Sequence, residues 1–541
     1  MIYRSAEQAQ YARLIEGALR PGPPLLAGAA AGLGKTHGYS IPLIGSGLRV
    51  AIAMSTRQLI AQYLESDALR AATEGRSVSI VALRTRRHYE READYRAHRA
   101  AALSAQVLVL THAAALIDSL HPGYADLRER DVLLFDEADL LADAADLRAT
   151  FRLRADTLRG ADATGLAPQA AASRVLQAAP GPEDRAAAQA ILHALAHPAP
   201  WKVVGLEDDG ALALRHRMPG RMLRPLVRDA KRCIFTSGTL QVHGRFDCFT
   251  RALGLDALAP ESRHIDPAHH GELTVEVAAD EMGPDAMAER IARAERPVLV
   301  LTTSHALTAE LGRRLPQATV RGADEALVDA MARCPDDGIL VAAGAWSGLD
   351  APRLRWKTVV IPRAPYGPPV TLDGQQITRY LDSEVVAVRR TCQGLHRGLR
   401  TPDARCTLLL LDPRSSRDAL RQAIPARFRV DWQGFEEGAQ LLQAHLRRER
   451  NASLRAAALR HHGARCMAPG CTETAPHRLD VHHTRPIADG ERRTTLAEVR
   501  VLCKNHHADA HHRLRMDALA ALDGEKGGAG QELADDEVKL P

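Results

Sequence analysis

The sequence predicts an α/β chain of several domains ending in a small one stapled by metal, and three stretches predict it. Near the N-terminus, "PLLAGAAAGLGKTHG" reads as a short apolar strand, a loop of small residues and a helix start. In "DVLLFDEADLL" the apolar strand Val132 to Phe135 ends in two carboxylates. Close to the C-terminus, "LDVHHTRPIADGERRTTLAEVRVLCKNHHADAHH" places histidines beside a cysteine in a way that core packing does not require. At 541 residues the chain is too long for one core, so three or more domains are expected.

The first stretch has the chemistry of a phosphate cradle. Backbone N–H groups around Gly32 and Gly34 can wrap phosphate oxygens because small residues allow close approach. Lys35 can reach the β and γ phosphates and Thr36 can bind Mg²⁺. Ala29 stands where the pattern usually has its first glycine, with Gly28 adjacent. The acidic pair completes the set: Asp136 holds Mg²⁺ through water and Glu137 polarises the attacking water. Asp139 reads as a helix N-cap. ATP and Mg²⁺ are the cofactors this combination calls for.

Further stretches then follow in a recognisable order. They are "MSTRQLIAQYL" (Met54 to Leu64), "VLVLTHAAALI" (Val107 to Ile117), "FTSGTL" (Phe235 to Leu240), "ILVAAGAWSGLDAPRLRWKTVVIPRAPYGPP" and "QGLHRGLR". From about Tyr3 to Pro425 the chain resembles the superfamily 2 helicases of the DinG/XPD branch, with Gly238 where Ala is usual and Ser347 in place of a Glu. The resemblance implies two RecA-like domains with ATP between them, over 1–240 and 241–430. Lys35, Thr36, Asp136 and Glu137 would face Asp350, Gln393, Arg397 and Arg400 across the cleft, the two arginines as fingers on the γ phosphate. It also implies 5′-to-3′ movement on single-stranded DNA.

Two departures refine the branch. Relatives carry an iron–sulfur cluster on four cysteines, but Gly38 to Arg130 contains no Cys, so no cluster is expected in the degenerate insertion over about 66–105. Its Arg-rich run "LRTRRHYEREADYRAHR" reads equally as a phosphate-holding, base-stacking surface or as a solvated charged helix. The arch-like insertion over about 141–228 is rich in Ala and Arg and reads as helical.

At the other end, Cys466 and Cys471 flank a Pro-Gly turn, and Cys503 and His506 sit at knuckle spacing near a helix start, a ligand set for a structural Zn²⁺. A segment this short cannot bury an adequate core without such a staple. With "LDVHHTRP" between the ligand pairs, the region 463–515 resembles the HNH nucleases of ββα-metal fold. The resemblance makes His483 the general base and His482 and His507 ligands of a divalent metal, with His511 one turn further along the same face. Glu498 stands where the family has Asn. The other reading of the region is a zinc knuckle that grips DNA without cutting it. A basic helical linker is expected over 431–462 and a disordered acidic, Gly-rich tail over 516–541.

Composition is ordinary for a globular protein, at 45% hydrophobic and 25% charged residues with a net charge of +5. No apolar run approaches a membrane span and "MIYRSAEQAQ" lacks a signal-peptide layout, so a cytoplasmic protein with no membrane partner is expected. A cluster-free motor joined to an HNH domain resembles the HNH-fused DinG helicases of type IV-A CRISPR systems. That resemblance implies single-stranded and R-loop DNA as substrates and an RNA-guided CRISPR effector complex as partner. A stand-alone helicase-nuclease of repair or phage restriction, and an ATP-driven remodeller with an inert zinc domain that binds DNA, are the other readings.

Overall fold

The computed structural model describes residues 3–30, 32–267, 271–346, 354–367, 370–377, 383–399, 401, 403–416, 420, 424, 458–475, 478–483, 496, 499–503 and 505–506. The chain divides into two compact units, Met1–Phe435 and Glu436–Lys539.

The larger unit begins with five strands, β1 (Leu25–Ala29), β2 (Val50–Met54), β3 (Ile80–Ala82), β4 (Val107–Thr111) and β5 (Val132–Asp136). Three more, β6 (Phe151–Leu153), β7 (Lys202–Leu206) and β8 (Leu212–His216), lie in the insertion, and β9 (Cys233–Ser237) and β10 (Glu261–Ile265) follow it. The first sheet is parallel throughout, in the order β10-β1-β9-β5-β2-β4-β3. Alternate residues supply two cores. Leu26, Leu108, Leu133 and Phe235 point to one face and Leu25, Val107, Val132 and Ile234 to the other. A parallel sheet needs this cover on both sides, which is why its strands read as unbroken apolar runs.

The second sheet gathers β11 (Glu272–Val277), β12 (Val298–Thr302), β13 (Thr319–Val320), β14 (Ile339–Ala343) and β15 (Thr358–Ile361). After a small hairpin, β16 (Thr371–Leu372) and β17 (Gln375–Gln376), the strand β18 (Arg405–Leu410) completes it. The order is β11-β18-β15-β12-β14-β13, again parallel. Leu299, Leu340 and Val359 face one core, and Val298, Ile339 and Val360 the other.

The structure moves two expectations. β10 pairs with β1 from Leu25–Glu261 to Ala29–Ile265, so the first sheet runs past the boundary expected at 240. Its "ESRHI" is polar up to Ile265, as an exposed edge strand can be, and a search for apolar runs passes over it. The insertion over 141–228 is not wholly helical either. Helices such as Pro168–Gln177 and Pro182–Ala196 pack on an antiparallel sheet in the order β6-β8-β7. Alanine-rich helices dominate its composition and hide the hairpin signal at "EDDG", where Gly210 takes φ 79°.

The smaller unit contains an antiparallel pair, β19 (Leu479–His483) and β20 (Val499–Cys503). Leu479, Val499, Val501, Leu502 and Cys466 are buried together there. Of the linker expected over 431–462, residues 458–462 are described, while the tail over 516–541 lies outside the described residues. Among the described residues no helix is long and apolar enough to cross a membrane.

Candidate functional site

β1 ends at Ala29, and the chain then turns through Gly32 at φ 84° and Gly34 at φ 78°, backbone that disfavours a Cβ. Ala29 lies within the strand, and the left-handed positions fall on the later glycines, so alanine is accommodated there. A Cβ on Gly34 would also meet Gln8 Nε2 at 2.2 Å. That amide donates to the Gly34 carbonyl at 3.0 Å, and Gln8 Oε1 accepts from the Arg4 amide at 2.6 Å. Gln8 is fully buried and went unread in the sequence. Its one signal is a polar residue in the buried stripe Gln8, Tyr11, Ala12, Ile15. The helix Lys35–Gly45 starts at the loop's end, so its free N–H groups open toward the same space. Lys35 Nζ donates to the Ala29 carbonyl at 3.1 Å. Burial draws its ammonium below the ordinary lysine range, and Asp136, Glu137 and Asp139 oppose that shift.

Asp136, at the end of β5, accepts from Tyr39 Oη at 3.0 Å through Oδ2 and from the Glu137 amide at 2.9 Å through Oδ1. Glu137 takes φ 48°, a left-handed position that a residue with a Cβ occupies at a cost. Ser55 Oγ donates to its Oε2 at 2.6 Å. Burial raises both carboxyls above their usual range, opposed by Lys35 at Asp136 and by Ser55 at Glu137. His112 is buried beneath them and donates from Nε2 to the Asp136 carbonyl at 2.8 Å. Its pKa is pushed down by burial to about 4, so it donates from the neutral ring.

Asp139 is not the N-cap that its position suggested. It sits in the short turn Ala138–Leu140, and Leu140 precedes the helix Leu141–Ala149 without a side-chain cap. Its carboxylate accepts from Ser237 Oγ, from Thr239 Oγ1 at 2.8 Å and from Gln393 Nε2 at 2.8 Å. Arg389 donates to the Asp139 carbonyl at 2.6 Å and to the Asp143 carboxylate. Gln393 and Arg389 come from the helix Ser383–Gly398 of the second sheet's domain, so Asp139 joins the two domains. The same helix carries Arg397, whose Nε donates to the Trp346 carbonyl at 3.2 Å. A cavity of about 730 Å³ brings Gly32, Gly34, Lys35, Thr36, Asp136 and Glu137 together with Gln393 and Arg397. Asp350 and Arg400 lie outside the described residues.

The Arg-rich run of the first insertion forms a solvated, ion-paired helix, Glu92–Ser104, with its lead-in. Arg86 and Arg96 hold Glu92 at 2.6 and 3.1 Å, and Arg91 holds Asp94 at 3.2 Å, all exposed. Tyr89 packs its ring against Tyr95 and His98.

In the smaller unit, Cys466, Cys471, Cys503 and His506 offer ligand atoms that all lie within 4.8 Å of one another. Cys503 Sγ is 3.1 Å and Cys466 Sγ 3.5 Å from His506 Nδ1. Ligands around one tetrahedral ion at about 2.3 Å stand roughly 3.8 Å apart, so small shifts, outward at His506 and inward for the wider pairs, would seat a metal. The backbone is shaped for it: Gly470 turns at φ 77°, and the Cys503 amide donates to Cys466 Sγ at 3.2 Å. His482 and His483 occupy the last two positions of β19, in register with Arg500 and Val499, and their side chains lie outside the described part. Glu498, His507 and His511 also lie outside the described residues.

Residues 7–176 match the DEAD/DEAH box helicase family. No curated protein matches the sequence. Among solved structures, an XPD helicase superposes with a TM-score of 0.58 at 14% identity, over 78% of this chain and 98% of that one. An apo XPD structure gives 0.55 and Xpd4 of S. tokodaii 0.52, each at 14% identity over 78% of this chain and 99% of the other. At that identity the likeness is one of fold, and it extends across both parallel sheets. Residues 7–176 are therefore similar to a DEAD/DEAH box helicase domain, and the two parallel α/β sheets share the fold of the XPD structures, that of two RecA-like domains.

Proposed function

We propose that the chain is an ATP-driven DNA helicase, moving 5′ to 3′ on single strands and coupled to DNA cleavage by its C-terminal unit. The observation that carries the motor is the shared cavity, where the phosphate loop of one domain meets Gln393 and Arg397 of the other. A triphosphate seated on the amides at Gly32, Gly34 and Lys35 draws Lys35 from the Ala29 carbonyl to its β and γ oxygens. Thr36 and Asp136 would hold Mg²⁺, which would neutralise charge on the triphosphate. Glu137 takes the proton of the attacking water. Arg397 leaves the Trp346 carbonyl for the γ phosphate beside Gln393, and the sequence resemblance assigns Arg400 and Asp350 to the same site. Closing the cleft on ATP and opening it after hydrolysis moves one domain along the strand.

The donor chemistry of Cys466, Cys471, Cys503 and His506 supports a structural Zn²⁺ that closes the small fold. In this reading His483 accepts a proton from water. His482, His507 and His511 would hold a divalent metal, which would supply charge stabilisation at the scissile phosphate. A nuclease on a motor cuts as strand is delivered, and the sequence resemblance makes an R-loop opened by an RNA-guided type IV-A CRISPR complex the entry point. Guide pairing then reads the sequence, and the motor needs no base-specific surface.

Reconstitution on an R-loop tests this. Lys35→Ala should abolish DNA-stimulated ATP hydrolysis and long-range cutting together, and His483→Ala should stop cutting while unwinding and bound Zn²⁺ survive. Wild-type cleavage by His483→Ala defeats the nuclease assignment and leaves a zinc domain that grips DNA. Robust cutting without any guide complex points to the stand-alone helicase-nuclease.

A further inference from the structure

In this structure each reactive side chain of the cavity is held by a neighbour. Lys35 is on the Ala29 carbonyl, Asp136 on Tyr39, Arg397 on the Trp346 carbonyl and Glu137 on Ser55. The first three partners belong to the cavity's own surroundings. Ser55 differs, because it is the first residue after β2 and opens the loop that leads into the helix Arg57–Leu64. Thr56 caps that helix, accepting from the Leu59 amide at 3.2 Å, and Thr56 and Arg57 are both exposed. The carboxyl ends of parallel strands are where such folds bind their ligands, and an exposed threonine and arginine beside a helix N-terminus suit a strand's phosphate.

We propose that Ser55 is a positioning residue that holds Glu137 out of catalysis until nucleic acid engages the loop after β2. The inference rests on the motor reading above. Ser55 Oγ gives its proton to Glu137 Oε2, and that lone pair is then unavailable to a water in the cavity. The bond also turns the carboxylate toward β2, across a sequence separation of 82 residues. Glu137 has little freedom to escape it by backbone rotation, since its left-handed φ of 48° is already an outlier fixed by the turn. A phosphate that draws Arg57 and Thr56 outward moves Ser55 with them, breaks the bond and frees the carboxylate for the water. ATP hydrolysis is thereby tied to occupancy by a strand.

The test compares ATP turnover with and without single-stranded DNA in the full chain. A charge-assisted hydrogen bond of ordinary strength limits the release to roughly tenfold. Ser55→Ala should therefore raise turnover without DNA by about that factor, leave the KM for ATP unchanged and shrink the DNA stimulation. Ser55→Thr, which keeps the hydroxyl, should restore wild-type coupling. Should Ser55→Ala unfold on heating well before wild type, Ser55→Cys, of nearly equal size and a much weaker donor, should move in the same direction. A stimulation ratio unchanged in the folded variant overturns the proposal. So does an equal fall with and without DNA, which would make Ser55 a group that merely orients Glu137 for catalysis. A wild-type chain without DNA-stimulated hydrolysis defeats the motor reading itself, before any Ser55 variant is compared.

Discussion

Asp139 ties the end of β9 to the helix Ser383–Gly398. A carboxylate 5% exposed takes three hydrogen bonds, two from hydroxyls at the end of β9 and one from Gln393 of the other domain. Arg389 beside it is 6% exposed and shares its cation between the Asp139 backbone and Asp143. Buried charge is tolerated here because it is paired and mostly hydrogen-bonded, with Arg389 Nε lying 3.8 Å from Asp139 Oδ2. Asp139→Asn keeps the shape and removes the charge. One hydroxyl then faces an amide N–H, and stability should fall by about 2 kcal/mol in denaturant unfolding. Because the network joins the two domains, ATP turnover should fall at least tenfold while ATP affinity changes little. Unaltered turnover would mean that the network serves folding alone.

At the scale of elements, the hairpin β16–β17 is the unexpected feature. Its "LDGQ" turn sets Asp373 at φ 52° and Gly374 at φ 72°, the two-residue turn that matches strand twist. The hairpin leaves the second domain and docks on the insertion of the first. The Asp373 amide donates to the Leu206 carbonyl at 2.7 Å, the Leu206 amide donates to Asp373 Oδ1 at 2.9 Å, and Thr371 Oγ1 donates to Asp208 at 2.7 Å. Leu372 and Ile377 pack on Ala213 beneath. Gly205 is required at this crossing, since a Cβ there would meet Asp373 Oδ2 at 2.5 Å. Asp373→Ala loses the acceptor and puts a methyl on a left-handed residue, weakening the dock by about 2 kcal/mol. Hydrogen exchange at the Leu206 amide should accelerate by more than tenfold while amides of the phosphate loop keep their protection. Equal acceleration at both places would show global loosening instead of a local dock.

For the whole molecule, the division into two compact units predicts that their chemistries separate. Among its described residues the smaller unit buries six together, Cys466 one of them, so a metal held by the Cys/His cluster would contribute much to its folding. The larger unit has extensive cores on both faces of two sheets and no cysteine cluster among its described residues. A strong chelator should therefore remove about one Zn²⁺ per chain, unfold the C-terminal unit and stop cutting, while DNA-stimulated ATP hydrolysis continues. Cys503→Ser should reproduce the loss without chelator. Retention of Zn²⁺ by that variant would exclude the proposed ligand set.

By itself the sequence determined the small-residue loop after β1, the acidic strand end, the α/β class and the Cys/His cluster. Each is a local pattern: a strand, a turn and a helix start within a few residues, or ligands paired three or five apart on one turn. Tertiary structure decided which side chains complete the site. Gln8 meets Gly34 across 26 residues, Ser55 meets Glu137 across 82 and Asp139 meets Gln393 across 254. Nothing local distinguishes these polar residues from caps or surface groups, because what gives each its role is burial beside a partner brought there by sheet order. The same reason hid β10, whose run of polar residues reads as surface until β1 lies next to it.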